Sequence, residues 1–208
     1  FRRVLFRSDR VGDAVGLAAR SDLAIVVVGT NEDWESEGWD RADIDLPGEQ
    51  DRLVREVARV SPRTIVVVNA GSPVAMPWID EVDAVLFAWF AGQEMGDAIV
   101  DVLFGDVEPQ GRLPVTFPRR IEDTPASEFH PGRGGTAQYR EGRLIGYRHF
   151  DTVGRAPLFP FGFGLGYADV TIDGARLLDD FTIDVALGNA SERDGVAVVQ
   201  VYAHVIDR

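Results

Sequence analysis

Leu23-Ala24-Ile25-Val26-Val27-Val28-Gly29 is the stretch whose reading decides the fold. It is apolar at every position before the glycine and rich in β-branched residues, with no helical spacing. That composition predicts a strand apolar on both faces, as in parallel sheets covered by helices. Thr64-Ile65-Val66-Val67-Val68-Asn69 repeats the pattern, and Ala84-Val85-Leu86-Phe87-Ala88-Trp89 repeats it again. Helical spacing fills the intervals. Val11, Ala14, Val15 and Ala18 share one helical face ahead of the first strand. After it, Pro47 suits a first helical position, and Leu53, Val54, Val57 and Val60 line one side. Trp78-Ile79 suggests a short helical turn before the third strand. Residues 93–104 set Met95, Ile99, Val102 and Leu103 on one face and stop at Gly105. Strands alternating with helices predict an α/β fold, a layered α/β/α sandwich on a mostly parallel sheet.

Beyond Pro114-Val115-Thr116-Phe117-Pro118 the rhythm breaks. Residues 119–143 form a polar loop rich in Gly, Arg and Pro, longer than a compact domain keeps without purpose. The aromatic, glycine-rich run Phe159-Pro160-Phe161-Gly162-Phe163-Gly164-Leu165-Gly166-Tyr167 follows. From Asp169 onward the chain alternates, with strands expected at 181–185 and 196–202. Two or three strands do not bury a sandwich core, so this all-β segment is expected to be truncated. The expected organisation is an α/β domain over 9–168 and a partial β domain over 169–208. Phe1-Arg2-Arg3-Val4-Leu5-Phe6-Arg7-Ser8 stands apart, basic in an acidic chain. Written as TTC AGA CGT GTG CTC TTC CGA TCT, it resembles the end of a sequencing-library adapter read in frame, so 1–8 are excluded from fold reasoning.

Composition removes several function classes. A formal net charge of −13 argues against a nucleic-acid partner, which needs a basic face. The absence of cysteine excludes a disulfide framework and a thiolate metal site. His130, His149 and His204 are too scattered to form a metal cluster. Apolar runs such as 24–28 and 84–91 are far shorter than the ~20 residues of a membrane-spanning helix. No Gly-x-Gly-x-x-Gly follows the first strand, and Gly132-Arg133-Gly134-Gly135 neither follows a strand nor opens a helix. No cofactor is expected.

The chemistry concentrates in Asn31-Glu32-Asp33-Trp34-Glu35-Ser36-Glu37-Gly38-Trp39-Asp40-Arg41, just past the first strand. Parallel sheets bind ligands at that end. Indoles beside carboxylates suit a sugar, since the ring stacks on a pyranose face while the carboxyl exchanges a proton. The same composition also fits a solvated acidic loop. If the loop is extended, Glu35 and Glu37 share a side of the backbone, and geometry leaves both as candidates.

Ser36-Glu37-Gly38-Trp39-Asp40-Arg41 resembles the acid/base motif of family 3 β-glucosidases. Other segments match the same family in order: Gly92-Gln93-Glu94-Met95-Gly96, then Pro109-Gln110-Gly111-Arg112-Leu113-Pro114. Tyr139-Arg140-Glu141-Gly142 and Gly146-Tyr147-Arg148 come next, and Phe159-Pro160-Phe161-Gly162-Phe163-Gly164-Leu165 closes the series. The resemblance implies a retaining, exo-acting hydrolase of terminal β-glycosidic bonds, with β-glucosides or oligosaccharides as substrates. It assigns the general acid/base to Glu37; in the same loop Trp34 and Trp39 are candidates to line the sugar site or to pack, and Asp40 and Arg41 are expected to form an ion pair that holds the loop. The nucleophilic Asp would come from an N-terminal (β/α)8 barrel upstream in the same polypeptide, so the fragment alone is expected to be inactive. The strand-rich tail resembles a fibronectin type III-like domain. The sequence departs from the family at Gly166, where Ser is frequent, and at Phe163, where Tyr or His is frequent. Two alternatives stay open: a β-xylosidase of the same family, and a non-catalytic carbohydrate-binding α/β module.

Overall fold

The structure, a computed structural model, describes residues 8–132, 134–179 and 181–203. The adapter-like segment therefore lies outside the described residues except for Ser8, which opens the first helix. The chain divides into two compact units, one running to residue 93 and resuming over 117–158, the other formed by 94–116 and 159–208.

The first unit is built on three parallel strands: β1 (Ala24–Gly29), β2 (Thr64–Asn69) and β3 (Ala84–Phe87), in that order. The register sets Val26 beside Val66 and Val28 beside Val68, and Val67 beside Leu86. All three expected parallel strands are present. Helix α1 (Ser8–Ala18) packs on α2 (Gln50–Ala58), and α2 packs on β1 and β2. Val54 and Val57 of α2 are buried with Val26, Val28, Val66 and Val68. Each such side chain stabilises the fold by about 1.5–3 kcal/mol relative to exposure. On the opposite face of α2, Arg52 bonds Glu49 at 2.9 Å and Glu56 at 2.7 Å. The helix starts three residues after Pro47, because the side-chain amide of Gln50 turns back. It accepts from the Gly29 N–H at 2.7 Å and donates to the Gly29 and Pro47 carbonyls at 2.9 and 3.0 Å.

The reading of β1 as buried on both faces is corrected. Val26 and Val28 are buried, but Ile25 is 44% and Val27 64% exposed. β1 is an edge strand whose second face is largely uncovered among the described residues, whereas the central β2 keeps Val66, Val67 and Val68 fully enclosed. β3 is shorter than expected. Its ladder ends at Phe87, and Trp89 takes a left-handed backbone with φ 56°. Phe87, Trp89 and the buried Phe117 then meet edge to face, with centroids 4.6–6.0 Å apart. The 119–143 loop holds a 3-10 turn at Ile121–Asp123, and it is followed by a helix that the sequence reading missed, α3 (Tyr147–Val153), which buries Phe150.

The second unit contains α4 (Met95–Phe104), which ends at the left-handed Gly105 as expected. The glycine-rich aromatic run pairs with residue 113: Leu113 N–H donates to the Phe163 carbonyl and Gly162 N–H to the Leu113 carbonyl. Two antiparallel strands follow, β4 (Val170–Leu177) and β5 (Ile183–Asn189). The strand expected at 196–202 does not form. No neighbouring strand offers it a ladder among the described residues, and the Val196 carbonyl accepts from Arg112 instead.

Candidate active site

The acidic loop leaves the C-terminal end of β1, where Thr30 N–H still donates to the Asn69 carbonyl of β2. It is not extended. Trp34 and Glu35 N–H groups fold back onto the Asn31 carbonyl at 2.9 and 2.8 Å, and Asp33 N–H meets Asn31 Oδ1. A second turn follows at Ser36, whose hydroxyl and carbonyl accept from Gly38 and Trp39. Asn and Ser favour such turns because their side chains bond the backbone two residues on. The loop is pinned again at its far end by Ala75 N–H to the Ile44 carbonyl, 2.7 Å.

Two successive turns separate the two glutamates. Glu35 faces inward, its side chain 14% exposed. Its Oε1 accepts from the Thr30 hydroxyl and from Gly71 N–H, its Oε2 from the Ser72 hydroxyl at 2.9 Å. Glu37 faces outward, exposed, with no hydrogen-bond or ion-pair partner among the described residues. Trp39 is 77% exposed and Trp34 44%. Glu35, Ser36, Glu37, Trp39 and Arg41 line one open hollow of about 370 Å³. Trp34 and Asp40 lie outside that lining.

The expected Asp40–Arg41 ion pair is not the one that forms. Arg41 turns inward, 3.8 Å from Glu35 Oε1, and donates to Ser72 Oγ at 2.9 Å. Asp40 turns outward, 3.4 Å from His130 of the 119–143 loop. The inward place beside the Glu35 carboxylate suits the guanidinium of Arg41 and would repel a second carboxylate, that of Asp40. Thr30, Gly71, Ser72 and His130 were missed by the sequence reading. Gly71 and Ser72 lie just past the C-terminal end of β2, so the rule that parallel sheets bind ligands at that end applied to them equally. Among the described residues no group of His, Asp and Glu is arranged to hold a metal ion, and no helix is long and apolar enough to cross a membrane.

A family model described as the glycosyl hydrolase family 3 C-terminal domain matches residues 7–167. A β-glucosidase of Rhizobium radiobacter is 45% identical over 93% of this chain, and β-glucosidase B of Emericella nidulans 48% identical over 94%. In both, the match covers 25% of the relative, so the chain spans about a quarter of their length. Among solved structures, a family 3 β-glucosidase of Bifidobacterium adolescentis superposes with a TM-score of 0.86 at 35% identity, over 93% of this chain and 30% of that one. A β-glucosidase of Streptomyces venezuelae in complex with D-glucose gives 0.85 at 36%, over 90% and 24%. A parallel sheet with an acidic, tryptophan-bearing loop at its C-terminal edge thus coincides with a family match over most of its length, and the chain belongs to glycosyl hydrolase family 3, within the C-terminal domain.

Proposed function

We propose that this chain carries the general acid/base, Glu37, of a retaining, exo-acting β-glycosidase that removes terminal sugars from β-glucosides. Its partner carboxylate, an Asp nucleophile, would stand on a (β/α)8 barrel upstream in the same polypeptide. The observation that carries this reading is the opposite disposition of the two glutamates. Glu37 stands exposed and, among the described residues, unpartnered in the hollow that Trp39 also lines, while both oxygens of Glu35 are already bonded. The quarter-length match supports a further catalytic domain outside this chain, and the match over 7–167 supports a boundary near 168 between the α/β domain and a fibronectin type III-like segment.

The chemistry needs two carboxyl groups about 5–5.5 Å apart and one water, with no cofactor. The nucleophile attacks the anomeric carbon as Glu37 gives its proton to the glycosidic oxygen, and the C–O bond to the aglycone breaks. Glu37, now a carboxylate, takes a proton from water, whose oxygen attacks the same carbon and frees the nucleophile. Trp39, and Trp34 earlier in the same loop, would offer ring faces to the sugar.

In the full-length polypeptide, Glu37→Ala should lower hydrolysis of alkyl β-glucosides by about 10²–10⁴-fold. A 2,4-dinitrophenyl β-glucoside should still form the glycosyl-enzyme, since its leaving group departs as a stable anion. Breakdown should then stall, and azide, which needs no base, should restore turnover and give a β-glycosyl azide. Loss without leaving-group dependence or azide rescue would move the acid/base elsewhere. Sugar binding without hydrolysis by the full-length protein would identify a binding module instead.

A further inference from the structure

We infer that Glu35 is a positioning residue that aims Glu37, an inference that rests on the acid/base reading of Glu37. Glu35 joins three segments at one point. Its carboxylate reaches Thr30 at the end of β1, Gly71 and Ser72 after β2, and Arg41 on the far side of its own loop. Arg41 closes a ring by donating to the same Ser72 hydroxyl that donates to Glu35. The clamp is close-fitting. A Cβ added at Gly71 would stand 2.8 Å from Glu35 Oε2 and 2.8 Å from the Phe90 ring, so the segment after β2 presses on the carboxylate with nothing to spare.

Ser36, Glu37 and Gly38 separate this fixed point from Trp39, and Glu37 is the middle one of the three. With Glu35 held and the Ser36 turn bonded to Gly38 and Trp39, the backbone at 37 has one direction in which to leave. An ion pair largely removed from water is a poor device for stability alone, because the desolvation of both charges offsets most of their attraction. It is a good device for fixing geometry, since it permits few alternative arrangements. Nor does Glu35 serve as a second proton donor. Although Glu35 borders the hollow, both of its oxygens are already engaged by three donors, which leaves little capacity for a substrate oxygen. Proton transfer needs an approach of about 3 Å, and a displacement near 1 Å costs up to about 10²-fold.

The test compares Glu35→Ala, Glu35→Gln, Ser72→Ala, Glu37→Ala and the Glu35→Ala/Glu37→Ala pair in the full-length enzyme, reading kcat/KM for an alkyl and a 2,4-dinitrophenyl β-glucoside. Glu35→Ala should reduce the alkyl substrate by about 10- to 100-fold and leave the dinitrophenyl substrate near its starting value, because only the former needs an aimed acid. Glu35→Gln, which keeps an acceptor for Thr30 and Gly71, should recover part of that loss. Added to Glu37→Ala, the Glu35 change should cost nothing further, since there is no acid left to aim. Equal losses on both substrates, or a Glu35 effect that persists in full without Glu37, would overturn the inference. Should Glu35→Ala fail to fold, Ser72→Ala removes one bond of the clamp and must show a smaller loss confined to the alkyl substrate; a uniform loss or none overturns the inference as well. If Glu37→Ala alone shows no leaving-group dependence, it is the acid/base reading that fails, whatever Glu35 does.

Discussion

Asp51 sits on α2, half-buried, with Oδ1 2.7 Å from the indole nitrogen of Trp78, a side chain wholly shielded from solvent. Burial raises its pKa above the ordinary 3.8. The Trp78 hydrogen bond opposes that shift, Asp45 reinforces it, and Arg55 opposes it. A carboxyl whose folded pKa exceeds its unfolded one favours folding fully below 3.8, and that contribution is lost as pH rises through the raised value. Asparagine is neutral throughout and still accepts from Trp78. The stability of Asp51→Asn relative to the parent should therefore shift in favour of Asn as pH climbs from below 3.8 through the raised pKa, then level off, in urea unfolding at a series of pH values. Asp51→Ala instead leaves a buried indole N–H without an acceptor, and should cost about 1–3 kcal/mol at neutral pH. A flat Asn-minus-Asp difference would show that Asp51 is solvated like any surface carboxyl. Asp51 drew no attention in the sequence, where a helical carboxylate is unremarkable and its indole partner lies 27 positions away. Glu37 was singled out by its motif, and its proposed role rests on that and on its exposure in the loop. The inward turn of Glu35 was partly legible, because Asn31 and Ser36 are turn formers, yet the partners that hold it come from the segment after β2.

At the scale of elements, periodicity located β1, β2, β3, α1, α2 and α4 to within a few residues but could not say what stands over each face. β1 and β2 have nearly the same composition, and their burial differs because one is an edge and the other central. The 196–202 run alternates as a strand should, but a ladder takes two strands. The substitution at Gly166, by contrast, has a local cause. A Cβ there would stand 2.3 Å from Glu108 Oε1. That carboxylate accepts from Tyr167 N–H at 2.9 and 3.1 Å and from Ala168 N–H at 3.2 Å, so it cannot swing aside freely. Gly166→Ser should displace Glu108 and destabilise the second unit by about 1–2 kcal/mol. In a Glu108→Ala background, where the obstacle is gone, the same substitution should cost markedly less. Thermal unfolding of the four proteins measures both; additive effects would mean that Glu108 is not what the glycine accommodates.

For the whole molecule, what the sequence made legible was order: segments matching one family, spread from residue 36 to 165 in the family's own succession. The division into two compact units was not legible, because it depends on which distant segments gather, and residues 94–116 gather with 159–208. On the proposed mechanism, the activity of the intact polypeptide would turn on a carboxylate about 5–5.5 Å from Glu37 across the anomeric carbon. Within this chain the neighbouring carboxylate is Glu35, and its oxygens are bonded to Thr30, Gly71 and Ser72. The 208-residue chain by itself should then fail even on the least demanding substrate. A 2,4-dinitrophenyl β-glucoside needs no proton donor, only a nucleophile, so its release isolates the missing function from the one proposed here. Dinitrophenol should appear no faster than in buffer, with azide making no difference, while the chain shows a cooperative unfolding transition that certifies it as folded. Release above the blank would mean that this chain supplies a working nucleophile itself, and the division of the catalytic pair between two domains would have to be abandoned.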